Sequence, residues 1–366
     1  MREYRRMAIH FSPAVRLNFQ KRLLAWFRAH QRDLPWRRSR NPYRVWVAEV
    51  MLQQTRIAAV RPYYHRFLRR FPRVESLARA PQDEVLKLWS GLGYYSRARN
   101  LHRAATEIVA RHDSKFPREL EPALRLPGIG RYTAAAVLSI AYDVPLAVLD
   151  GNVARVLARL GAIRGELRAP RRWKSLATTA QQLLAPEAPG DWNQALMELG
   201  ETICTPQTPR CHACPISRTC RAYAQGLVDQ IPAPRRKRAA VQMRIAAAIL
   251  LDPHGRTLLV QDPGAHDKVL FSRLWQFPAV EVTRGAQAEL AKHLRASLQI
   301  NPSSLEALAH ARHGVTFRNI QLLPFLARVP RLPKRPRTRI VPLSSLARFP
   351  ISSATRKLAQ AASKID

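Results

Sequence analysis

The chain has 366 residues, enough to bury a large core and to form two domains. Its 61 Lys and Arg against 25 Asp and Glu give a formal net charge of +36. Self-repulsion on that scale favours a polyanionic partner, although an Arg-rich proteome or a basic membrane-binding surface would leave the same imbalance. The longest uninterrupted apolar run, Ile245 to Leu251, falls far short of the ~20 residues that a span needs. The basic N-terminus MREYRRMAIHFS lacks the apolar core of a signal peptide. A cytoplasmic protein without membrane association is expected.

From about residue 15 to 225 the apolar positions recur at three and four, which predicts helix after helix. VWVAEVML (45–52), DEVLKLW (83–89), TAAAVLSIAY (133–142) and NVARVLARL (152–160) are the clearest cases. The proline-punctuated, basic stretch Ile231-Pro-Ala-Pro-Arg-Arg-Lys-Arg238 then reads as a linker, taken as 231–243. Beyond it RIAAAILLD (244–252), TLLVQD (257–262) and NIQLLPFLARV (319–329) read as strands, with AQAELAKHLRASL (286–298) a helix between them. The expected organisation is an all-α domain over 1–230 and a smaller α+β domain over 244–366.

All four cysteines, Cys204, Cys211, Cys214 and Cys220, fall in one 17-residue window with spacing C-x6-C-x2-C-x5-C. A cytosolic setting disfavours disulfides, which leaves a tetrathiolate site for zinc or an iron–sulfur cluster. Spacing leaves that choice open. Arg210, Arg218 and Arg221 lower the cost of gathering four thiolates and can also face phosphate.

Leu126-Pro127-Gly128-Ile129-Gly130-Arg131 stands between an apolar helix end and TAAAVLSIAY, a helix–hairpin–helix pattern over about 124–142. Two glycines opening a helix expose backbone N–H groups at its positive end, a geometry that suits a phosphate oxygen. Gly128 and Gly130 allow close approach, and Ile129 can anchor the hairpin in the core.

Together with LDGNVARVL and the tetracysteine loop, this hairpin resembles the endonuclease III superfamily of DNA glycosylases. LPW (34–36), EVMLQQT (49–55), GLGYYSRARNL (91–101) and the extra C-terminal domain are similar to the MutY family of adenine glycosylases. The resemblance covers nearly all of the first 225 residues and is looser beyond the linker. It implies a helix–hairpin–helix glycosylase domain, one 4Fe–4S cluster on the four cysteines, a Nudix-like C-terminal domain, and a monomer. Its implied substrate is duplex DNA in which adenine is mispaired with 8-oxoguanine or guanine, and the implied reaction is N-glycosidic hydrolysis after base flipping.

That reaction needs a protonated leaving base and a stabilised sugar cation. Glu49, among Val47, Val50 and Met51, is desolvated by its neighbours, which suits an acid, and the resemblance gives it the general-acid role. Asp150 precedes the helix at 153–160 and has a simple alternative as its cap; Asn152 is placed to cap instead. By resemblance Asp150 is the anion that stabilises the sugar cation or attacks it transiently. Tyr132 stands where strand-nicking relatives carry a Schiff-base lysine. A hydroxyl has no amine to offer, so a monofunctional enzyme is expected, with Tyr132 positioning water or a carboxylate.

The resemblance assigns DNA contacts to Gln53, Gln54, Thr55, Leu92, Tyr94, Gly128, Gly130 and Arg131, with Gln54 and Tyr94 intercalating. It lines the adenine pocket with Arg32, Leu34, Trp36, Arg37, Gln194 and Met197; many relatives carry Glu at position 194. In the C-terminal domain LWQFP (274–278) resembles a Nudix strand. The metal-binding Glu-rich helix is missing, since 286–298 offers only Glu289, so nucleotide hydrolysis is not expected. From Thr283 onward fifteen Lys or Arg face three Asp or Glu, consistent with DNA contact. The family's lesion-recognition loop, His-x-Phe-Ser/Thr-His, is matched by His313-Gly-Val315-Thr316-Phe317, which keeps the hydroxyl but loses the Phe and the second His. Two rivals are a bifunctional glycosylase/lyase for oxidised pyrimidines, opposed by Tyr132, and a non-catalytic iron–sulfur DNA-binding protein, opposed by Glu49 and Asp150.

Overall fold

A computed structural model describes residues 11–234, 239–262, 271 and 273–362. The basic stretch at 1–10 and the linker residues 235–238 lie outside them. In chain order the described helices are α1 (Pro13–His30), α2 (Pro42–Leu52), α3 (Ile57–Arg70), α4 (Val74–Ala78), α5 (Gln82–Trp89), α6 (Ser96–Arg111), α7 (Leu120–Arg125), α8 (Arg131–Tyr142), α9 (Gly151–Leu160), α10 (Pro170–Leu183), α11 (Pro189–Thr202), α12 (Arg221–Ala224), α13 (Ala286–Leu298) and α14 (Ser353–Ala362). The strands are β1 (Val241–Leu251), β2 (Arg256–Gln261), β3 (Trp275–Gln276), β4 (Ala279–Glu281), β5 (Glu306–Ala307), β6 (Ala311–Val315), β7 (Arg318–Arg328) and β8 (Thr338–Pro342). None of these helices is long and apolar enough to cross a membrane.

The chain divides into two compact units, 1–78 with 103–236 and 79–102 with 237–366. The division is not a single cut at the linker, because α5 and the glycine-rich turn after it group with the C-terminal residues. Ile231 is itself buried and accepts a hydrogen bond from Arg159, and β1 starts at Val241. The connection between elements is therefore shorter than 231–243.

In the first unit the local signals are conventional. Ser12 and Asn41 accept hydrogen bonds from Val15 and Arg44 N–H, and Pro13 and Pro42 occupy the first helical position. Runs of consecutive buried residues, Val45–Met51 on α2, Thr133–Ile140 on α8 and Val153–Leu160 on α9, put these three helices in the interior around almost their whole circumference.

The second unit is built on an eight-stranded mixed sheet, with β1 and β7 as a parallel central pair in register from Val241↔Arg318 to Leu251↔Arg328. β2 and β4 pair with the other edge of β1, β5 and β6 with the other edge of β7, and β3 and β8 with β2, all antiparallel. Successive residues of β1 point to opposite faces: Ala246, Ala248 and Leu250 pack with Leu290, Leu294 and Leu298 of α13, while Ala247 and Ile249 pack with Ala354 and Leu358 of α14. Helices thus cover both faces of the sheet.

Candidate active site

Glu49 lies on the last turn of α2 and is only 6% exposed. Burial raises its pKa to about 7. The hydrogen bond from Tyr132 and the charge of Arg37 pull it down, while the charges of Asp150 and Glu201 push it up. Tyr132, one residue into α8, places its hydroxyl 2.8 Å from Glu49 Oε2 and 3.3 Å from Met197 Sδ. A hydroxyl has one hydrogen and two lone pairs. It can donate to the carboxylate, or accept from the acid while donating to the sulfur, so both protonation states of Glu49 are satisfied. Gln53 Nε2, just past the helix, donates to Thr133 Oγ1 at 3.1 Å and ties α2 to α8 beside this pair.

Asp150 is the N-cap of α9, its Oδ1 accepting from Val153 N–H at 2.7 Å. The cap is therefore Asp150 and not Asn152. Capping and chemistry are compatible, because a carboxylate has two oxygens and about four acceptor sites. Burial raises the Asp150 carboxyl above its ordinary value, against the amides of Val153 and Asn152, which lower it. Asn152 instead accepts from Arg155 Nη2 at 2.9 Å, and Arg155 donates onward to Gly200 O at 2.8 Å and Cys204 O at 2.9 Å. Position 200 needs glycine: a Cβ there would come within 2.8 Å of Asn152 Cβ. The fully buried Asn193 fixes the strand of chain entering Asp150, accepting from Val148 N–H and donating to Leu146 O and Ser139 Oγ.

Facing these groups is a wall of charge on α11 and the segment before α2. Glu198, 1% exposed, accepts from Arg32 Nε at 2.6 Å and Arg37 Nη2 at 2.8 Å. Arg32 also bonds Glu201 at 2.5 Å, and Arg37 Nε donates to Gln194 Oε1 at 3.2 Å. Leu34 and Trp36 are buried, Trp36 packing edge-on against Tyr64 with ring centroids 5.4 Å apart. Sequence reasoning found Arg32, Arg37, Gln194 and Met197 but passed over Asn193 and Glu198 in the same helix. The only sequence signal was their helical spacing from residues already chosen, Asn193 four before Met197 and Glu198 four after Gln194.

The four cysteines form no disulfide and line one cavity of about 30 Å³ with Arg159, Ile203, Ser217, Tyr223 and Val228. Arg159, 2% exposed, anchors the loop from below: Nη1 lies 3.3 Å from Cys204 Sγ and 2.7 Å from Thr205 O, and Nη2 3.2 Å from Pro206 O. Burial raises the thiols of Cys211 and Cys220 and pushes Cys214 up to about 12. Among the described residues no three His, Cys, Asp or Glu side chains close on a single metal ion.

A family model described as HhH-GPD superfamily base excision DNA repair protein matches residues 47–180. An adenine DNA glycosylase of Mus musculus is 39% identical over 74% of this chain and 62% of its own length. Another, from Buchnera aphidicola subsp. Acyrthosiphon pisum (strain APS), is 31% identical over 85% of this chain and 87% of its own length. The chain belongs to the MutY family of adenine DNA glycosylases. It spans less than two thirds of the mouse relative's length. A solved structure described as a thermostable thymine-DNA glycosylase superposes with TM-score 0.53 and 28% identity, over 58% of this chain and 98% of that one.

The positions expected to contact DNA divide by environment. Gln54 and Tyr94 are exposed, Tyr94 by 40%, and both have positive φ, 57° and 50°. Non-glycine residues held in that region store strain, which clusters at functional sites. Thr55 is half-buried, and Leu92 is buried in the second unit, so the ring of Tyr94, not the side chain of Leu92, is presented outward. Gly128 requires its glycine at φ 75°, Ile129 is buried, and a Cβ at Gly130 would meet nothing within 4 Å, which leaves open the approach to the N-terminus of α8 at Arg131. The lesion-recognition candidates do not form a long loop. His313 and Val315 stand on β6, paired with Ile320 and Arg318, and Thr316 and Phe317 make the two-residue turn into β7.

Proposed function

We propose that this chain removes adenine from mispairs with 8-oxoguanine or guanine by general-acid-assisted hydrolysis, leaving an abasic site and an unbroken strand. The observation that carries the reading is a buried glutamic acid titrating near neutrality, hydrogen-bonded to Tyr132 at 2.8 Å and within the field of Asp150. A pKa near 7 keeps a large fraction of Glu49 protonated at working pH and ready to give the proton up. Glu49 delivers it to the purine ring. Asp150, fixed by the N-terminus of α9, carries the negative charge that offsets the developing sugar cation. Tyr132 holds the acid in place and, having no amine, forms no Schiff base with the opened sugar.

The donor set of the cysteine cavity fits a 4Fe–4S cluster. Four thiols lining one cavity suit a multi-iron group spanning it. Cys204, Cys211, Cys214 and Cys220 would hold it, and its cationic irons would stabilise thiolates that burial otherwise keeps protonated. Bound there, the cluster would cross-link residues 204–220, and no bond-breaking step runs through it. The second unit is proposed to be the Nudix-like reader of the opposite base. Thr316 Oγ1 donates to Val315 O at 2.7 Å, so its hydrogen is committed and its lone pairs remain to accept from the N7–H that distinguishes 8-oxoguanine.

The test is incubation with an A:8-oxoguanine duplex, with and without alkali. Strand breaks are expected only after alkali, and Glu49→Gln should bind the duplex while losing at least ~10²-fold in single-turnover rate, the usual contribution of a positioned acid. An active Glu49→Gln variant, or breaks without alkali, would refute the mechanism.

A further inference from the structure

We propose that Glu198 is a positioning residue that acts on Glu49 at one remove: it neutralises Arg37, and so lets the acid keep its proton. The proposal rests on the general-acid reading of Glu49.

Glu198 has nearly every feature of a committed counter-ion. It is 1% exposed, yet both carboxylate oxygens are occupied, Oε1 by Arg32 Nε at 2.6 Å and Oε2 by Arg32 Nη2 at 2.7 Å and Arg37 Nη2 at 2.8 Å. Burial alone would raise its pKa; the hydrogen bonds from Arg32 and Arg37 reverse that and hold it below the ordinary value. Arg32 has a second anion in Glu201 at 2.5 Å, whereas the carboxylate on Arg37 is Glu198, its other side-chain bonds going to the neutral Gln194 and to Arg32 O.

The network stands next to the acid. Met197, adjacent to Glu198 on α11, touches the same Tyr132 hydroxyl that bonds Glu49, and Arg37 bonds Gln194 one turn earlier on that helix. The groups acting on Glu49 from its surroundings are Tyr132 on α8, Asp150 at the start of α9, Arg37 before α2 and Glu201 on α11. Of these Arg37 is the one cation. Its charge favours the ionised, catalytically wrong form of Glu49, and a buried carboxylate beside Arg37 cancels that field at its source. Gln194 alone, being neutral, could orient Arg37 but not offset it.

The experiment is the pH dependence of single-turnover adenine removal, read as the position of the alkaline limb where Glu49 ionises. Glu198→Gln should move the limb down by about one pH unit, the scale of one uncompensated neighbouring charge. Arg37→Gln should move it up, and the double variant should return it close to wild type whatever the loss in absolute rate. Titrating the ¹³C-labelled Glu49 carboxyl in the same proteins reads the shift without turnover. A Glu198→Gln variant that is slower at every pH with its limb unmoved, or an Arg37→Gln variant whose limb stays put, overturns the proposal. If Glu198→Gln does not fold, Arg37→Gln and the double variant still decide. An active Glu49→Gln enzyme would instead remove the acid assignment, a failure the carboxyl titration keeps separate.

Discussion

The carboxyl of Glu49 titrates near 7 in the folded chain against an ordinary value of 4.5, so between those limits the folded state holds a proton that the unfolded chain has released. Stability is then unaffected by this group below 4.5, falls as the pH rises toward 7, and stays reduced above it. The full difference is about 3 kcal/mol as an upper estimate. Glu49→Gln removes the penalty, since an amide does not ionise. The variant should be more stable than wild type at pH 8, by up to about 3 kcal/mol, and within about 1 kcal/mol of it at pH 5. Urea unfolding at the two values measures this, and a difference independent of pH would contradict it. Glu49 could be read in the sequence because Val47, Val50 and Met51 surround it and the family resemblance supplied its role. Glu198 could not: the partners that give it meaning, Arg32 and Arg37, lie 166 and 161 positions away. Asp150 was legible as a charge before a helix, but only coordinates show that it, and not Asn152, makes the cap.

At the scale of elements, the β6–β7 hairpin turns on Thr316 at φ 55°, an unfavourable conformation for a β-branched residue, followed by Phe317 with the Arg318 guanidinium 4.6 Å from its ring centre. A hydroxyl held there at some conformational cost points to use. Thr316→Ala should narrow the preference for A:8-oxoguanine over A:G by no more than about tenfold, the worth of one hydrogen bond. Parallel single-turnover assays on the two duplexes check it, and an unchanged ratio would mean that the hairpin does not read the lesion. Periodicity identified α2, α8, α9, α13, β1, β2 and β7, whose buried faces repeat cleanly. It missed β6, because ARHGV has only the partly buried Ala311 and Val315 at its two ends, with charge and a glycine between, and its strand character comes from pairing with β7.

For the whole molecule, composition suggested a boundary at the proline-rich linker, yet residues 79–102 group with 237–366. Ser90 Oγ donates to Ile351 O at 2.6 Å and accepts from Arg356 Nη2 at 2.8 Å, and Trp275 Nε1 lies 3.4 Å from Asp83 Oδ2. No local pattern in α5 announces such partners, which are more than 190 positions away. Truncation after Ala240 should therefore do more than abolish opposite-base preference. Amides of 79–102 should lose hydrogen-exchange protection, and the rate on A:G, where no lesion is read, should fall as well. Unchanged protection in that segment would show that it stands without its C-terminal partners.

The same grouping bears on how the chain is made. Residues 79–102 leave the ribosome on the order of ten seconds before the last of 237–366, at ordinary rates of synthesis. During that interval Asp83 and Ser90 await Trp275, Ile351 and Arg356, hydrogen-bond partners not yet synthesised. Folding cannot proceed cleanly from the N-terminus, one domain after another. The nascent chain must hold this short stretch without those hydrogen bonds until residues 275–356 arrive, which makes it a natural point of chaperone engagement when synthesis stalls.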